Sequence, residues 1–184
     1  GTVLPIDLIG VGWRVVASSV YCGVDATAAA MVNKMKYIPT GAQYQVAAMK
    51  ALASFKPIRM KVEIDGESHT FEAATIVVAN SAYYGNGMKI APTAVVDDGL
   101  LEVVAIEAAT RRKLMTSMPK VYDGSHIGMP EVHLFQGRSI RIQQVEGSRE
   151  VQVGADGEPL PNLPGPDQEP LAIDIMPAAL QIIR

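Results

Sequence analysis

Ile58, Met60, Val62 and Ile64 alternate with Arg59, Lys61 and Glu63, the two-residue period of a strand with one buried face. Asp65-Gly66 follows as a tight turn and His69–Val78 returns, which predicts a hairpin. Gln43–Phe55 has the other period. Tyr44, Ala47, Ala48, Ala51, Leu52 and Phe55 recur at helical spacing, and Pro57 stops the run. A second helix is expected over Thr110–Val121, with Leu114, Met118 and Val121 on one side. A third, Ala-rich, spans Asp25–Lys36, with Asp25 or Thr27 as its N-cap, and Pro39 and Gly41 end it. Val11–Val20, including Trp13, reads as strand. So do Val132–Phe135, Ser139–Gln144, Arg149–Val153, Leu171–Ile175 and Leu180–Ile183. Asn162–Pro170 is Pro- and Gly-rich and reads as loop. Strands dominate without βαβ alternation, so the pattern predicts a mainly β (α+β) sandwich with two or three helices, and excludes a doubly wound nucleotide fold.

One connection is too particular to be filler. Apolar runs at Thr75–Ala79 and Leu100–Ile106 flank a loop holding Gly85, Gly87, Pro92 and Asp97-Asp98-Gly99. Glycine permits positive φ or close approach to a ligand, and Asp-Gly marks a turn. The loop reads either as a long hairpin connection or as a surface shaped to bind.

Composition narrows the classes. The chain has 184 residues, 48% of them hydrophobic, enough for the core of one domain or two small ones. No run reaches the roughly 18 apolar residues of a membrane span. A net charge of −3 gives no bulk attraction to nucleic acid, which is not an expected partner. Arg111-Arg112-Lys113 reads as a solvated helix start or as a patch for phosphates or a membrane. The lone Cys22 allows no internal disulfide and reads as a core residue of a reduced, intracellular protein. The first residue is Gly rather than Met, so an excised domain is expected.

Among nucleotide motifs, the G-x-x-x-x-G-K-[ST] loop is absent, and Gly85-Asn86-Gly87 lacks the third glycine of a dinucleotide fingerprint. No histidine pair has zinc spacing, and no G-x-S-x-G elbow supports a Ser-His-Asp triad. His69 and His133 lie in strands, His69 on the surface, while His126 could line a cleft. Met31, Met35, Met49 and Met118 read as helical core residues, or as the adaptable lining of a lipid groove. Asp65-Gly66-Glu67 and Asp156-Gly157-Glu158 share three letters. The first reads as a plain turn. The second could place a carboxylate in a cleft.

Five pieces, in order, carry a resemblance: Gly23-Val24-Asp25-Ala26; Asn80 to Val103, with Ala91-Pro92 and Asp98-Gly99-Leu100-Leu101-Glu102-Val103; Pro119 to His126; Asp156-Gly157-Glu158-Pro159-Leu160; and Met176 to Leu180. Together they resemble the second domain of the diacylglycerol kinase-like lipid kinases, a group that includes sphingosine kinases and is related to NAD kinase. The match runs over roughly Asp7–Arg184. Val24, often Phe in the family, and Asn86, often Gly, depart from the pattern.

The resemblance implies an ATP- and Mg2+-dependent transfer of the γ-phosphate to a lipid hydroxyl, with diacylglycerol as acceptor. It places the catalytic acid at Glu158. It places a structural Mg2+ on the Asp98 carboxylate and the carbonyls of Val95 and Leu100, with Asp97 as the competing carboxylate. It implies that ATP is held mainly by a preceding domain carrying a Gly-Gly-Asp-Gly-Thr element, which is absent here. This chain alone would then be a poor enzyme or none. Expected partners are that N-terminal kinase domain and a membrane surface supplying lipid to a cytoplasmic, peripherally associated protein. Exposed edge strands would also allow a homodimer. The alternatives are an NAD kinase-like domain and a noncatalytic lipid- or protein-binding sandwich.

Overall fold

The structure is a computed structural model and describes residues 2–32, 40–85, 87–146 and 150–183, with side chains at 40–42, 44 and 45 left out. Eleven strands are described: β1 (Val3–Val11), β2 (Arg14–Val16), β3 (Ser19–Gly23), β4 (Ile58–Ile64), β5 (Glu67–Ala79), β6 (Leu101–Glu107), β7 (Val132–Gly137), β8 (Ser139–Gln144), β9 (Val153–Ala155), β10 (Glu158–Leu160) and β11 (Leu171–Ile183). Three helices join them: α1 (Val24–Val32), α2 (Thr40–Ser54) and α3 (Arg111–Asp123).

The strands form one antiparallel sheet in the order β10-β9-β3-β5-β4-β8-β11-β1-β2, with β6 beside β5 and β7 beside β6. β5 is the branch point: its first half pairs with β4, its second half with both β3 and β6. The sheet curls until its ends approach. Arg14 reaches the Pro159 carbonyl, and the Asp156 carboxylate accepts the backbone N–H groups of Ala17, Ser18 and Ser19 at 2.8–3.1 Å.

Curling gives an enclosed inner face, filled by Ile9, Val62, Ile76, Val103, Ile140 and Ile173. Each such aliphatic side chain contributes about 1.5–3 kcal/mol by leaving water. The outer face of β3, β5 and β6 is covered by the helices through Tyr21, Val77, Val104, Ala28, Ala47 and Ala51. Ala73–Ala79 is therefore buried on both faces, which is why the sequence there is apolar on both faces but for Thr75 instead of alternating. α3 is capped by Thr110, whose hydroxyl accepts the Lys113 N–H, and ends at Gly124 with φ 83°.

The mainly β reading and the hairpin at Asp65-Gly66 hold. Several boundaries differ. Trp13 is not in a strand: with Gly12 at φ 58° it forms the turn between β1 and β2 and is 87% exposed. Leu171–Ile175 and Leu180–Ile183 are one strand, because the Asp7 carboxylate accepts the Ala178 N–H at 2.7 Å and carries pairing with β1 across the irregularity at Pro177. Asp25 and Thr27 do not cap α1, which starts at Val24. Thr27 donates back to the Gly23 carbonyl, and Asp25 turns to Thr75. Gly41 lies inside α2. Met49 is exposed, not core. Asn33–Lys36 with Met35, the Tyr44 side chain, Asn86 and Arg149 lie outside the described residues.

Candidate functional site

A narrow pocket of about 70 Å3, partly open to solvent, lies between β5–β6 and the three helices. Its walls are apolar: Val24, Ala48, Leu52, Ile106, Leu114 and Met118 among them. Lys113, Ser117 and Glu131 also line it, and four further polar side chains, Asp25, Thr75, Tyr84 and His126, gather within it. Thr75 donates to the Asp25 carboxylate at 2.7 Å, Tyr84 hydrogen-bonds the same carboxylate, and the buried His126 ring is 2.9 Å from the Ile90 carbonyl through Nε2. Burial raises the Asp25 carboxyl above its ordinary value, against the hydrogen bonds from Thr75 and Tyr84 and the nearby His126. Burial lowers His126 below its ordinary value, against the Ile90 and Lys120 carbonyls. An apolar pocket with a few convergent polar groups is the usual form of a small-molecule site.

The polar end continues outward. Tyr84 also lines a second space with Ser18, Ser19, Tyr21, Tyr83 and Asp156. The Tyr21 and Tyr84 rings meet edge to face, 5.9 Å apart. The Tyr21 hydroxyl accepts the Gly157 N–H at 3.0 Å. A Cβ on Gly154 would lie 2.6 Å from the Tyr21 ring, so a glycine there lets the ring cross β9. Burial raises the Tyr21 phenol above its ordinary value. A chain of contacts thus joins the pocket to the Asp156-Gly157-Glu158 turn.

Both Asp-Gly-Glu tripeptides are two-residue hairpin turns with positive φ at Asp and Gly: 48° and 93° at Asp65-Gly66, 45° and 89° at Asp156-Gly157. That is the type I′ signature. In each, the aspartate ties down another segment. Asp65 accepts the N–H of Arg138 and Ser139, and Asp156 those of Ala17, Ser18 and Ser19. What separates the two turns is their surroundings. Glu67 is exposed at the start of β5. Glu158 is also exposed, but it borders a depression lined by Ala26, Ala29 and Gly154, on the pocket side of the sheet.

Asp98 is exposed, and its carboxylate accepts the Leu100 N–H at 3.0 Å, an aspartate turn. Asp97 and Val95 are exposed beside it. The loop is clasped by Asp7, whose N–H donates to the Val96 carbonyl and whose carboxylate accepts the Gly99 N–H, both at 2.7 Å. Asp98, Val95 and Leu100 therefore sit on one fixed loop. Their donor set of one carboxylate and two carbonyls suits a hard cation that keeps its waters. Among the described residues no group of three His, Cys, Asp or Glu is arranged to hold a metal.

The other predicted residues are structural or peripheral. Asn80 is buried and donates to the Asp7 and Ala17 carbonyls. Cys22 is buried, and desolvation pushes its thiol up to about 12. His69 packs against the Phe71 and Phe135 rings, which also meet each other, and His133 lies 3.3 Å from Glu107. Thr75 and Tyr84 carried no signal in the sequence: they come from a strand and a loop, and only folding brings them to Asp25.

An enclosed, strand-branched sheet with a helix-roofed pocket defines the class. Residues 18–184 match the YegS C-terminal NAD kinase beta sandwich-like domain, and the chain belongs to that family, a lipid kinase family. It is 26% identical to a diacylglycerol kinase of Mycobacterium tuberculosis (strain CDC 1551 / Oshkosh) over 163 residues, 88% of this chain and 50% of that one. It is 24% identical to a protein of Shewanella frigidimarina named "Probable lipid kinase YegS-like", over all of this chain and 56% of that one. The chain thus spans about half the length of the curated relatives it matches. A crystal structure of a diacylglycerol kinase from Bacillus anthracis str. Sterne superposes with a TM-score of 0.64 at 16% identity, covering 99% of this chain and 54% of that one. At that identity the likeness is one of fold. No helix among the described residues is long and apolar enough to cross a membrane.

Proposed function

We propose that this chain is the acceptor-binding domain of an ATP- and Mg2+-dependent lipid kinase, with diacylglycerol as acceptor and phosphatidic acid as product. The observation that carries this reading is the continuity between the apolar pocket and the Glu158 turn through Tyr84 and Tyr21. The acyl chains lie among Leu52, Ile106, Leu114 and Met118. The glycerol hydroxyls face Asp25, Thr75 and Tyr84. Glu158, an exposed carboxylate on the neighbouring depression that the Tyr21–Gly157 contact joins to the pocket, accepts the proton of the attacking hydroxyl. Its turn is held rigid by Asp156 and Tyr21, which suits a reaction that depends mostly on positioning.

The remaining parts lie on or beyond this surface. Asp98, with the Val95 and Leu100 carbonyls, would hold a structural Mg2+ that fixes the loop joining β5 to β6. ATP binds to the N-terminal half that the relatives possess outside the matched region, and that half closes over Glu158. The reading makes the whole protein a cytoplasmic enzyme that meets its lipid at a membrane.

The deciding experiment is phosphate transfer from labelled ATP by a protein carrying this chain with that N-terminal half, with and without Glu158→Gln. Diacylglycerol, monoacylglycerol, sphingosine and NAD are offered in turn. Transfer to diacylglycerol that the variant loses by about a hundredfold or more is the expected result. Transfer to NAD alone would replace the lipid reading. Full activity in the variant would remove Glu158 from the mechanism.

A further inference from the structure

The path from the pocket to the Glu158 turn runs past Tyr21, and the Tyr21 ring stands in it. Tyr21 is the middle residue of β3 and only 5% exposed. Its neighbours Val20 and Cys22 belong to the inner core. Strand alternation therefore sends the Tyr21 ring to the outer face, where it packs with Ala26, Val77 and Tyr84. Directly opposite, on β9, is Gly154. A glycine inside a strand often marks a close approach. Here the approaching group is the phenol, since a Cβ on Gly154 would lie 2.6 Å from the ring.

The ring separates neighbouring spaces. The depression bordered by Glu158 and the space lined by Tyr83 and Tyr84 share Ala29 and Gly157. Gly154 lines the first and Tyr21 the second, and the ring lies across the glycine between them. On its other side the ring meets Tyr84, which is also a wall of the apolar pocket. Two contacts hold the phenol there: the edge-to-face packing on Tyr84 and the Gly157 N–H that its hydroxyl accepts. Burial, and then the Asp25, Asp156 and Glu158 carboxylates, oppose its ionisation against the Gly157 hydrogen bond. The ring is therefore a neutral wall, which selects by size and not by charge.

We infer that Tyr21 sets the size of the acceptor's head: it admits a bare glycerol hydroxyl to Glu158 and excludes a lipid whose hydroxyls are carried on a sugar. The inference rests on the acceptor-binding reading above. A hexose is about as large as a phenol ring, so a glycosyl diacylglycerol can bring a hydroxyl to Glu158 only by occupying the place where the phenol stands. Selection of this kind works by a clash with the wrong partner, and removing the clashing group relaxes it. The Gly157 contact gives the same ring a second effect, because it fixes the turn that carries Glu158.

The test is phosphate transfer by a protein carrying this chain with the N-terminal half, offered dioctanoylglycerol and its monoglucosyl derivative. Both are neutral, so the three carboxylates treat them alike. The parent should use dioctanoylglycerol and leave the glucosyl lipid. Tyr21→Ser should move the ratio of their kcat/KM values toward the glucosyl lipid by about tenfold or more. Tyr21→Leu, which keeps apolar filling in the strand, should move it the same way and serves if the serine variant does not fold. Tyr21→Phe keeps the wall and loses the hold on Gly157: kcat should fall for dioctanoylglycerol with the ratio unchanged. A merely structural role would lower kcat/KM for both lipids in every variant and leave the ratio alone. That result, or a parent that uses both lipids equally, would overturn the inference and leave the acceptor reading standing. A parent that transfers phosphate to no lipid would sink the acceptor reading instead. Tyr21 is then judged on binding, through melting temperatures of the 184-residue chain. A rise with the glucosyl lipid in Tyr21→Ser or Tyr21→Leu but not in the parent upholds the size limit. An equal rise in all, or none in any, overturns it.

Discussion

At the scale of residues, the two Asp-Gly-Glu turns show how one tripeptide acquires two meanings. Both aspartates sit at positive φ and hold neighbouring backbone N–H groups. Asp65→Ala and Asp156→Ala should each lower stability, by about 1 kcal/mol, as backbone donors, mostly exposed, lose a charged acceptor. Urea denaturation reads this directly. Only Asp156→Ala should also lower phosphate transfer, because only that turn orients Glu158; equal activity in both variants would argue against the site. The letters could not make this distinction. Alternation around Asp65 exposed the hairpin in the sequence, whereas the value of Glu158 depends on Tyr21, from a strand remote in the chain, crossing β9 over Gly154. In the sequence Asp25 is legible only as an acid near a helix start, one of two candidate caps with Thr27. Its partners Thr75, Tyr84 and His126 come from three other segments, and no local pattern announces them. His126 supplies a pH test. Its folded-state affinity for protons is lowered by burial, so the unfolded chain binds more protons below about pH 6.5. The stability this confers is complete above that pH and is lost as pH falls through the window beneath it. A His126→Gln chain should show a flatter melting temperature between about pH 6.5 and 5 than the parent. An identical slope would mean that the ring is not held neutral. Asp25, shifted upward and interacting with His126, acts with the opposite sign at lower pH, so the comparison is made above the ordinary carboxylate range.

At the scale of elements, what a strand or helix faces decided how well it could be read. β4 was correct to the residue because one face is buried and the other is wet. β11 was split in two because Met176-Pro177-Ala178 looks like a break. Asp7, from the far end of the chain, supplies the acceptor that bridges it. The junction between β3 and α1 is the most demanding. Gly23 has φ 95°, and a Cβ there would lie 2.4 Å from the Ala74 carbonyl oxygen. Neither the conformation nor the contact tolerates a side chain, so α1 and β5 would have to separate and carry Asp25 away from Thr75. Gly23→Ala should therefore cost about 3 kcal/mol or more, strain and overpacking together. Gly66 has φ 93° with nothing within 4 Å of the added carbon, so Gly66→Ala should cost about 1 kcal/mol, from strain alone. Denaturant midpoints compare the two. Similar losses would mean that the β3–α1 junction yields easily and does not fix the pocket.

At the scale of the molecule, the curled sheet and the helix roof perform separate tasks. The inner core, from Ile9 to Ile173, is closed on itself and does not involve the pocket. The pocket lies entirely on the outer face, between the sheet and helices held by small residues such as Ala28, Ala47 and Ala51. Filling it should therefore add stability without rearranging the core. A ligand that binds only the folded state stabilises by about 2.7 kcal/mol at a hundred times its Kd. For a domain of this length that is a rise of about 5–10 °C in melting temperature. Dioctanoylglycerol should produce such a rise in the 184-residue chain, and NAD should not. Ser117→Trp should remove the rise while leaving the unliganded melting temperature near that of the parent, since it occupies the mouth and not the core. A rise with dioctanoylglycerol but no phosphate transfer by the longer protein would mean a lipid-binding domain without the chemistry. A rise with NAD instead would move the acceptor from a lipid to a nucleotide, and an apolar cavity closed by Asp25, Thr75 and Tyr84 is poorly built to take a nucleotide's charge.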